Sequence, residues 1–309
     1  MKKLFLMAGF ALLAASCSND ESLDSSVNLS SEQAAAPVTV RVGEFAVSQS
    51  DFSDTDDPQV ARATTRATAV GSYNGVKSLT LAFYASDGTE TYKVTHTKGS
   101  MGEGETFGEF STSLPIGSYT MVVLGYVLYD DDELTLTSPT QAEYTAGCPR
   151  ETFATTQVVN VTNTTAKELT ATLDRIVTCL QVISTDGRTA NVNKVRMTFS
   201  AGGKRFSPTS GLATVNTGSV STVGNSATVG TSSTSKSFVF LATDEQTMNV
   251  TIETLDADGN PIFSKTVENV PFKRNRVTKL IGAMYGASAT AGSFQVNTTW
   301  LDEADPINF

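Results

Sequence analysis

The sequence predicts an all-β protein built as two tandem β-sandwich domains, and three observations carry that expectation. Short apolar runs alternate with polar residues at a period of two along most of the chain. Gly, Pro, Asn and Asp punctuate those runs at hairpin spacing. Nowhere is there a sustained 3.6-residue apolar stripe of the kind a core-packed helix needs. At 309 residues the chain is long for one domain and comfortable for two. Apolar residues make up 39% and charged residues 17%, so each half can bury a core of its own.

The elements follow in order. Lys2 and Lys3 form a basic start, and Leu4 to Ala15 form an apolar run too short to span a bilayer. Residues 1–16 therefore read as an export signal and not as a membrane helix. Ala14-Ala15-Ser16-Cys17 closes the run, with a small residue before a cysteine. Residues 17–36, rich in Ser, Asn, Asp, Glu and Ala, read as a flexible tether. Val38, Val40 and Val42 then alternate, and Phe45 and Val47 resume after Gly43, which predicts a strand with a bulge at the glycine. The pattern is lost over 48–72, an exposed loop that carries Arg62 and Arg66.

Strand signals come quickly from Val76. Leu79, Leu81 and Phe83 alternate, Asp87-Gly88 turns the chain, and Tyr92 and Val94 return. Leu114-Pro115-Ile116-Gly117-Ser118-Tyr119 leads into the apolar run Met121 to Leu124, because Pro fixes φ and Gly permits a bend. That pattern resembles a turn common in transthyretin-like sandwiches. Gln157 to Val161 is a further short strand. The second half is expected to open at Lys167, giving domains of 37–166 and 167–309. Leu169 to Ile183 reads as one long buried strand, or two with a kink near Arg175. Val195, Met197 and Phe199 alternate, residues 208–236 read as a loop region, and Asp256 to Asn260 as a hairpin turn. Val270-Pro271 before Val277–Ile281 faintly echoes Leu114-Pro115 before its own β-run.

Charge and composition exclude several classes of function. Lys plus Arg number 22 against 32 Asp plus Glu, a net charge of −10. Such a surface repels phosphate backbones and anionic headgroups, so nucleic acid is not an expected partner. After Cys17 only Cys148 and Cys179 remain, which allows one disulfide or two free thiols, an exposed Cys148 in a loop and a buried Cys179 in an apolar strand. The one histidine, His96, lies on a hairpin arm with no nucleophile or acid spaced to work with it. Gly102, Gly104 and Gly108 lack the Lys-Ser/Thr of a phosphate loop. Asp130 to Glu133 reads as a solvated acidic loop, because adjacent carboxylates point apart and seldom enclose one cation. No catalytic residue, metal site or cofactor is expected.

Several stretches resemble known proteins. Ala14 to Cys17 resembles the bacterial lipobox, whose cysteine is acylated and becomes the mature N-terminus; ordinary cleavage beside an incidental cysteine is the alternative. Ser18-Asn19-Asp20-Glu21 resembles the surface-export signal of Bacteroidetes lipoproteins. Leu173 to Val182, Val270 to Gly282 and the final Ser293 to Trp300 resemble, in order and spacing, strands of the fimbrillins, subunits of Bacteroidetes fimbriae. The resemblance implies two transthyretin-like sandwiches, lipidation at Cys17 and passage to the surface of the outer membrane. It also implies cleavage after Arg62 or Arg66, which frees a chain lacking Val38–Val47. A strand from another fimbrial subunit then replaces the lost one, supplied by the C-terminal region with Phe294, Val296 and Trp300. A host or bacterial surface receptor is a further partner it leaves open. Competing readings remain: a plain linker over the Arg-containing loop, Trp300 as a core aromatic of its own domain, an uncleaved lipoprotein anchor, and a carbohydrate-binding module.

Overall fold

The computed structural model describes residues 34–47, 66–71, 73–129, 132–285 and 294–296. From Ala34 onward the chain is one compact unit. The first ten strands are β1 (Ala35–Val47), β2 (Arg66–Ala69), β3 (Ser78–Ala85), β4 (Glu90–Thr97), β5 (Glu109–Pro115), β6 (Gly117–Tyr126), β7 (Glu133–Ser138), β8 (Gln141–Ala146), β9 (Thr152–Val161) and β10 (Lys167–Arg175). Nine more follow: β11 (Thr178–Ser184), β12 (Lys194–Phe199), β13 (Arg205–Phe206), β14 (Ser219–Gly224), β15 (Thr234–Val239), β16 (Glu245–Leu255), β17 (Pro261–Lys273), β18 (Val277–Gly282) and β19 (Gln295–Val296). The described residues hold strands, turns and bends with no helix, as the period-two patterning predicts.

One large sheet runs in the order β2-β1-β10-β9-β6-β3-β4, with β5 paired to β1 as well. Its inner face encloses a core that includes Val38, Phe45, Leu79, Leu81, Phe83, Phe110, Met121, Phe153 and Leu173. The Asp87-Gly88 turn joins β3 to β4 as expected, with Gly88 in the left-handed region at φ 86°. The ladder between β1 and β10 slips between Val42 and Glu44, a bulge at Gly43.

The outer face of the same sheet is also covered. Ala82, Tyr84, Val122, Leu124 and Tyr126 pack against Leu136, Ala142, Tyr144 and Phe206 of the small sheet β13-β8-β7, and against Ile176, Val177 and Phe240. This explains the unbroken apolar run Met121–Leu124: β6 is buried on both faces, where alternation has no purpose. A third core lies between the sheets β15-β11-β18-β19 and β14-β12-β16-β17, which form a β-sandwich around Leu180, Val182, Val195, Met197, Phe199, Ile252, Phe272 and Leu280.

Five sequence expectations need correction. The span 48–72 is not exposed loop throughout, since Arg66–Ala69 form β2 on the edge of β1 and Val70 is buried. Lys167 does not open the second half: it starts β10, a strand of the first sheet, and the handover falls at Ile176–Val177, the kink after Arg175. A strand's own pattern reports burial and not the sheet it joins. Residues 208–236 are not loop throughout, since β14 and the start of β15 lie within them. The serines and threonines of β14 fit an edge strand with one face in water. Cys148 is buried, not exposed. Asp132, at the end of the supposedly solvated acidic run, is a buried carboxylate that accepts from Arg150 Nε and Nη2 at 2.6 and 3.1 Å. Both corrections have a local cause, since Arg150 covers the Asp132 carboxylate and Ser221 covers the Cys148 thiol.

The thiols are free. Cys148 Sγ accepts from Ser221 Oγ at 3.5 Å. Burial pushes the Cys179 thiol up to about 12, which leaves almost no thiolate at neutral pH. Protein lacking residues 1–17 should therefore show no native reaction of Cys179 with an aromatic disulfide reagent, and two reactive thiols once unfolded. A mapped Cys148–Cys179 bridge, or native labelling of Cys179, would contradict this packing.

Candidate functional site: the buried first strand

The position of β1 is the least ordinary feature of the molecule. A leading strand usually lies at an edge, but β1 is paired on both sides. Ala35 to Arg41 run antiparallel to β5, from Ala35 opposite Pro115 to Arg41 opposite Glu109. Val38 to Ala46 run parallel to β10, from Val38 opposite Lys167 to Ala46 opposite Asp174. Glu44 to Val47 also pair with β2, which takes over the edge where β5 stops. Outside the ladder, Arg41 bridges both neighbours, with Nη1 3.0 Å from Glu168 and Nη2 3.2 Å from Glu109. Exposed pairs of this kind add little stability, but they mark the register.

Alternation puts Val38, Val40 and Val42 on the core side, and the bulge resets the pattern so that Phe45 faces inward too. Their exposures are 1%, 0%, 5% and 0%. Full burial of a Val or Phe side chain is worth about 1.5–3 kcal/mol, so these four amount to roughly 6–12 kcal/mol. That is comparable with the whole stability of an ordinary domain, about 5–15 kcal/mol. With this position empty, the first core would lose much of the packing that holds it.

Space for Phe45 is made by Gly125 on β6, where a Cβ would lie 3.0 Å from Phe45 Cε1 and 3.2 Å from Leu173 Cδ2. The Phe45 ring meets Phe153 at 4.8 Å and Tyr73 at 5.4 Å, centre to centre, and Tyr73 meets Phe153 edge-on at 5.5 Å. Behind these rings lies a buried polar cluster that no sequence pattern announced. The Tyr73 hydroxyl donates to Glu151 Oε1 at 2.5 Å. Arg175 Nη2 lies 2.7 Å from the same oxygen and donates to the Tyr73 hydroxyl at 3.0 Å. Burial is the main cause that raises the tyrosine's pKa, so the phenol stays protonated. The segment carrying Tyr73 has a second tie, since Lys98 Nζ donates to its carbonyl at 2.8 Å and lies 5.1 Å from the Phe107 ring centre.

The residues singled out from sequence fall as follows. Cys17, Arg62 and Trp300 lie outside the described residues. Arg66 opens β2, its backbone paired with Val47. Val296 pairs with Leu280 of β18. Phe294 is half-buried against the third core, 6.5 Å from Phe263, above a niche at Gly282 where a Cβ would come within 2.7 Å of its ring. The predicted strand Val38–Val47 is thus at the centre of the site, while Phe294 and Val296 are engaged within their own chain. His96 stacks on Phe110 at 4.2 Å, a packing role beside β5. Among the described residues no group of three or more His, Cys, Asp or Glu could hold a metal ion.

One eight-stranded sheet around its own core, with the leading strand built into it, and two further sheets packed over another core define an all-β protein of sandwich type. The chain belongs to DUF6562, a family of unknown function, whose profile matches residues 44–305. Among curated proteins none matches it. Solved structures similar to it include the fimbrial anchor protein Mfa2 of Porphyromonas gingivalis, at 14% identity over 80% of this chain and 90% of that one, TM-score 0.44. The tip fimbrial protein Mfa3 of the same organism, with a C-terminal truncation, is 11% identical over 85% and 98%, TM-score 0.37. A candidate adhesin from Bacteroides ovatus is 12% identical over 86% and 93%, TM-score 0.46.

The packing at Gly125 gives a direct test. Gly125→Ala should cost about 1–3 kcal/mol by overpacking, read as a shift in the urea midpoint. In a Phe45→Ala background that cost should shrink, because the ring it collides with is gone. Additive costs would mean that Phe45 does not sit over Gly125.

Proposed function

We propose that this chain is a structural subunit of a cell-surface fimbria, exported as a lipoprotein on Cys17 and assembled by exchange of its first strand. In this reading a protease cuts after Arg62 or Arg66 on the cell surface, and β1 leaves with the lipid. The one observation that carries the reading is the place of β1. It is the first strand and is joined to the rest by the segment that holds both arginines, yet it is paired on both sides and fills the core.

The physics of assembly follows from that geometry. Loss of β1 would free the edges of β10 and β5 and expose the slots of Val38, Val40, Val42 and Phe45. An open strand edge beside an apolar groove is a template for an extended segment from another chain. The incoming strand restores backbone hydrogen bonds, each worth about 0.5–1.5 kcal/mol net, and it buries its own apolar side chains. The donor is the C-terminal region from Ser293, with Phe294, Val296 and Trp300 as the groove-filling side chains. Lys98 holds the Tyr73 carbonyl by a bond that does not pass through β1, so the new N-terminus keeps an attachment to the sandwich.

A second reading is favoured by one observation: the Arg66 backbone is engaged by Val47. A protease needs an extended, unpaired segment, so cutting at Arg66 requires local opening of β2. A chain that is never cut would keep its lipid and β1, and would serve as an anchor for other subunits at the outer membrane.

Two measurements separate the readings. The N-terminal residue of protein taken from the native cell surface should be Ala63 or Ala67; acylated Cys17 alone would leave only the anchor. Replacing Arg62 and Arg66 together by Ala should abolish polymer ladders on unboiled gels while monomer persists. Ladders that survive would overturn assembly by cleavage.

A further inference from the structure

The buried cluster behind Phe45 reaches from β1 to the second half of the chain. Arg175 Nη1 donates to Asn275 Oδ1 at 3.2 Å, in the tight turn between β17 and β18. Asn275 is left-handed, φ 58°, and its N–H donates to Val177 O at 2.9 Å. Next to it the Arg276 carbonyl accepts from the Cys179 N–H and the Thr178 hydroxyl, each at 3.0 Å. The turn is thus tied to the start of β11, with Arg175 as its link to the first core.

We infer that Arg175 couples the filling of the β1 position to the β17–β18 turn: a Phe45 ring in place strengthens the hold on that turn, and its loss releases it. Arg175 and Glu151 are 1% and 9% exposed at the side chain, and the guanidinium lies 5.2 Å from the Phe153 ring centre. Phe45, Phe153 and Tyr73 form the apolar wall on the β1 side. A buried ion pair keeps its geometry because no water competes for it; when water enters, the local dielectric rises and the attraction falls steeply. Removing the Phe45 ring opens that wall at Tyr73 and Phe153, the two rings that contact the pair. The hydrated guanidinium then has water as an alternative to Asn275. Coupling is reciprocal, so an ordered turn also favours a strand seated at β1.

The inference deepens the strand-exchange reading only in supposing that the β1 position can be emptied and refilled. The coupling itself is testable in the intact chain. Amide hydrogen exchange at Asn275, Arg276 and Val277, divided by exchange at Val182 within the third core, reports the hold on the turn. Phe45→Ala should raise that ratio about tenfold, inside the 5–150-fold span usual for coupled sites. Val40→Ala is the control: it empties a buried position on the same strand, away from the three rings, and should leave the ratio unchanged. If Phe45→Ala does not fold, Phe45→Leu keeps apolar bulk, loses the ring contacts and should raise the ratio by a smaller factor. A ratio that rises equally with Val40→Ala, or that stays flat in the Phe45 variant that folds, overturns the coupling. Because none of these chains is cut, the outcome does not depend on processing. Failed cleavage with a coupled turn would refute the strand-exchange reading alone, and the converse would refute the coupling alone.

Discussion

Double-sided pairing of β1 is the constraint from which the rest of the first sandwich follows. A strand held by β10 on one side and by β5 and β2 on the other cannot move without opening ladders on both sides. Five of its side chains lie in the same core as Phe83, Met121 and Leu173. That core therefore depends on a segment covalently distant from the strands it supports. Gly125, the bulge at Gly43 and the Arg41 bridges all serve to seat this one strand.

Much of this architecture was legible locally. The Asp87-Gly88 turn, the glycine bulge, the kink after Arg175, the alternation Val195-Met197-Phe199 and the turn at Asp256–Asn260 each announced themselves, because turn chemistry and period-two burial act over a few residues. What could not be read was allegiance. Nothing in Lys167–Arg175 states that it pairs with a strand at the start of the chain, since both sheets offer the same buried, pleated surface. Asp132 and Cys148 were misjudged for a related reason: they sit in loops, but Arg150 covers the first and Ser221 of β14 the second, partners that lie 18 and 73 residues away.

The polar cluster was the least visible feature. Tyr73 and Glu151 are 78 residues apart in sequence, and Tyr73 and Arg175 are 102 apart. An arginine inside an apolar run suggested a kink and nothing more. Only the fold shows that the three share one buried site, where each touches the other two. The same groups link the first core to the turn at Asn275, so the two halves share a hydrogen-bond network as well as the packed surfaces of the middle core.

The parallel pairing of β1 with β10 has a kinetic corollary. Arg41 meets Glu168 across 127 residues of sequence, and a contact of that span forms only after the intervening chain has found its shape. β3, β4, β6 and β9 join by antiparallel contacts of shorter reach and can collapse early. Strand β1, made before the strands that receive it, is thus the last to dock, and it spends the folding interval exposed. A chain built this way folds slowly, and it passes through a state in which the vacancy is already present before any other factor has acted on it.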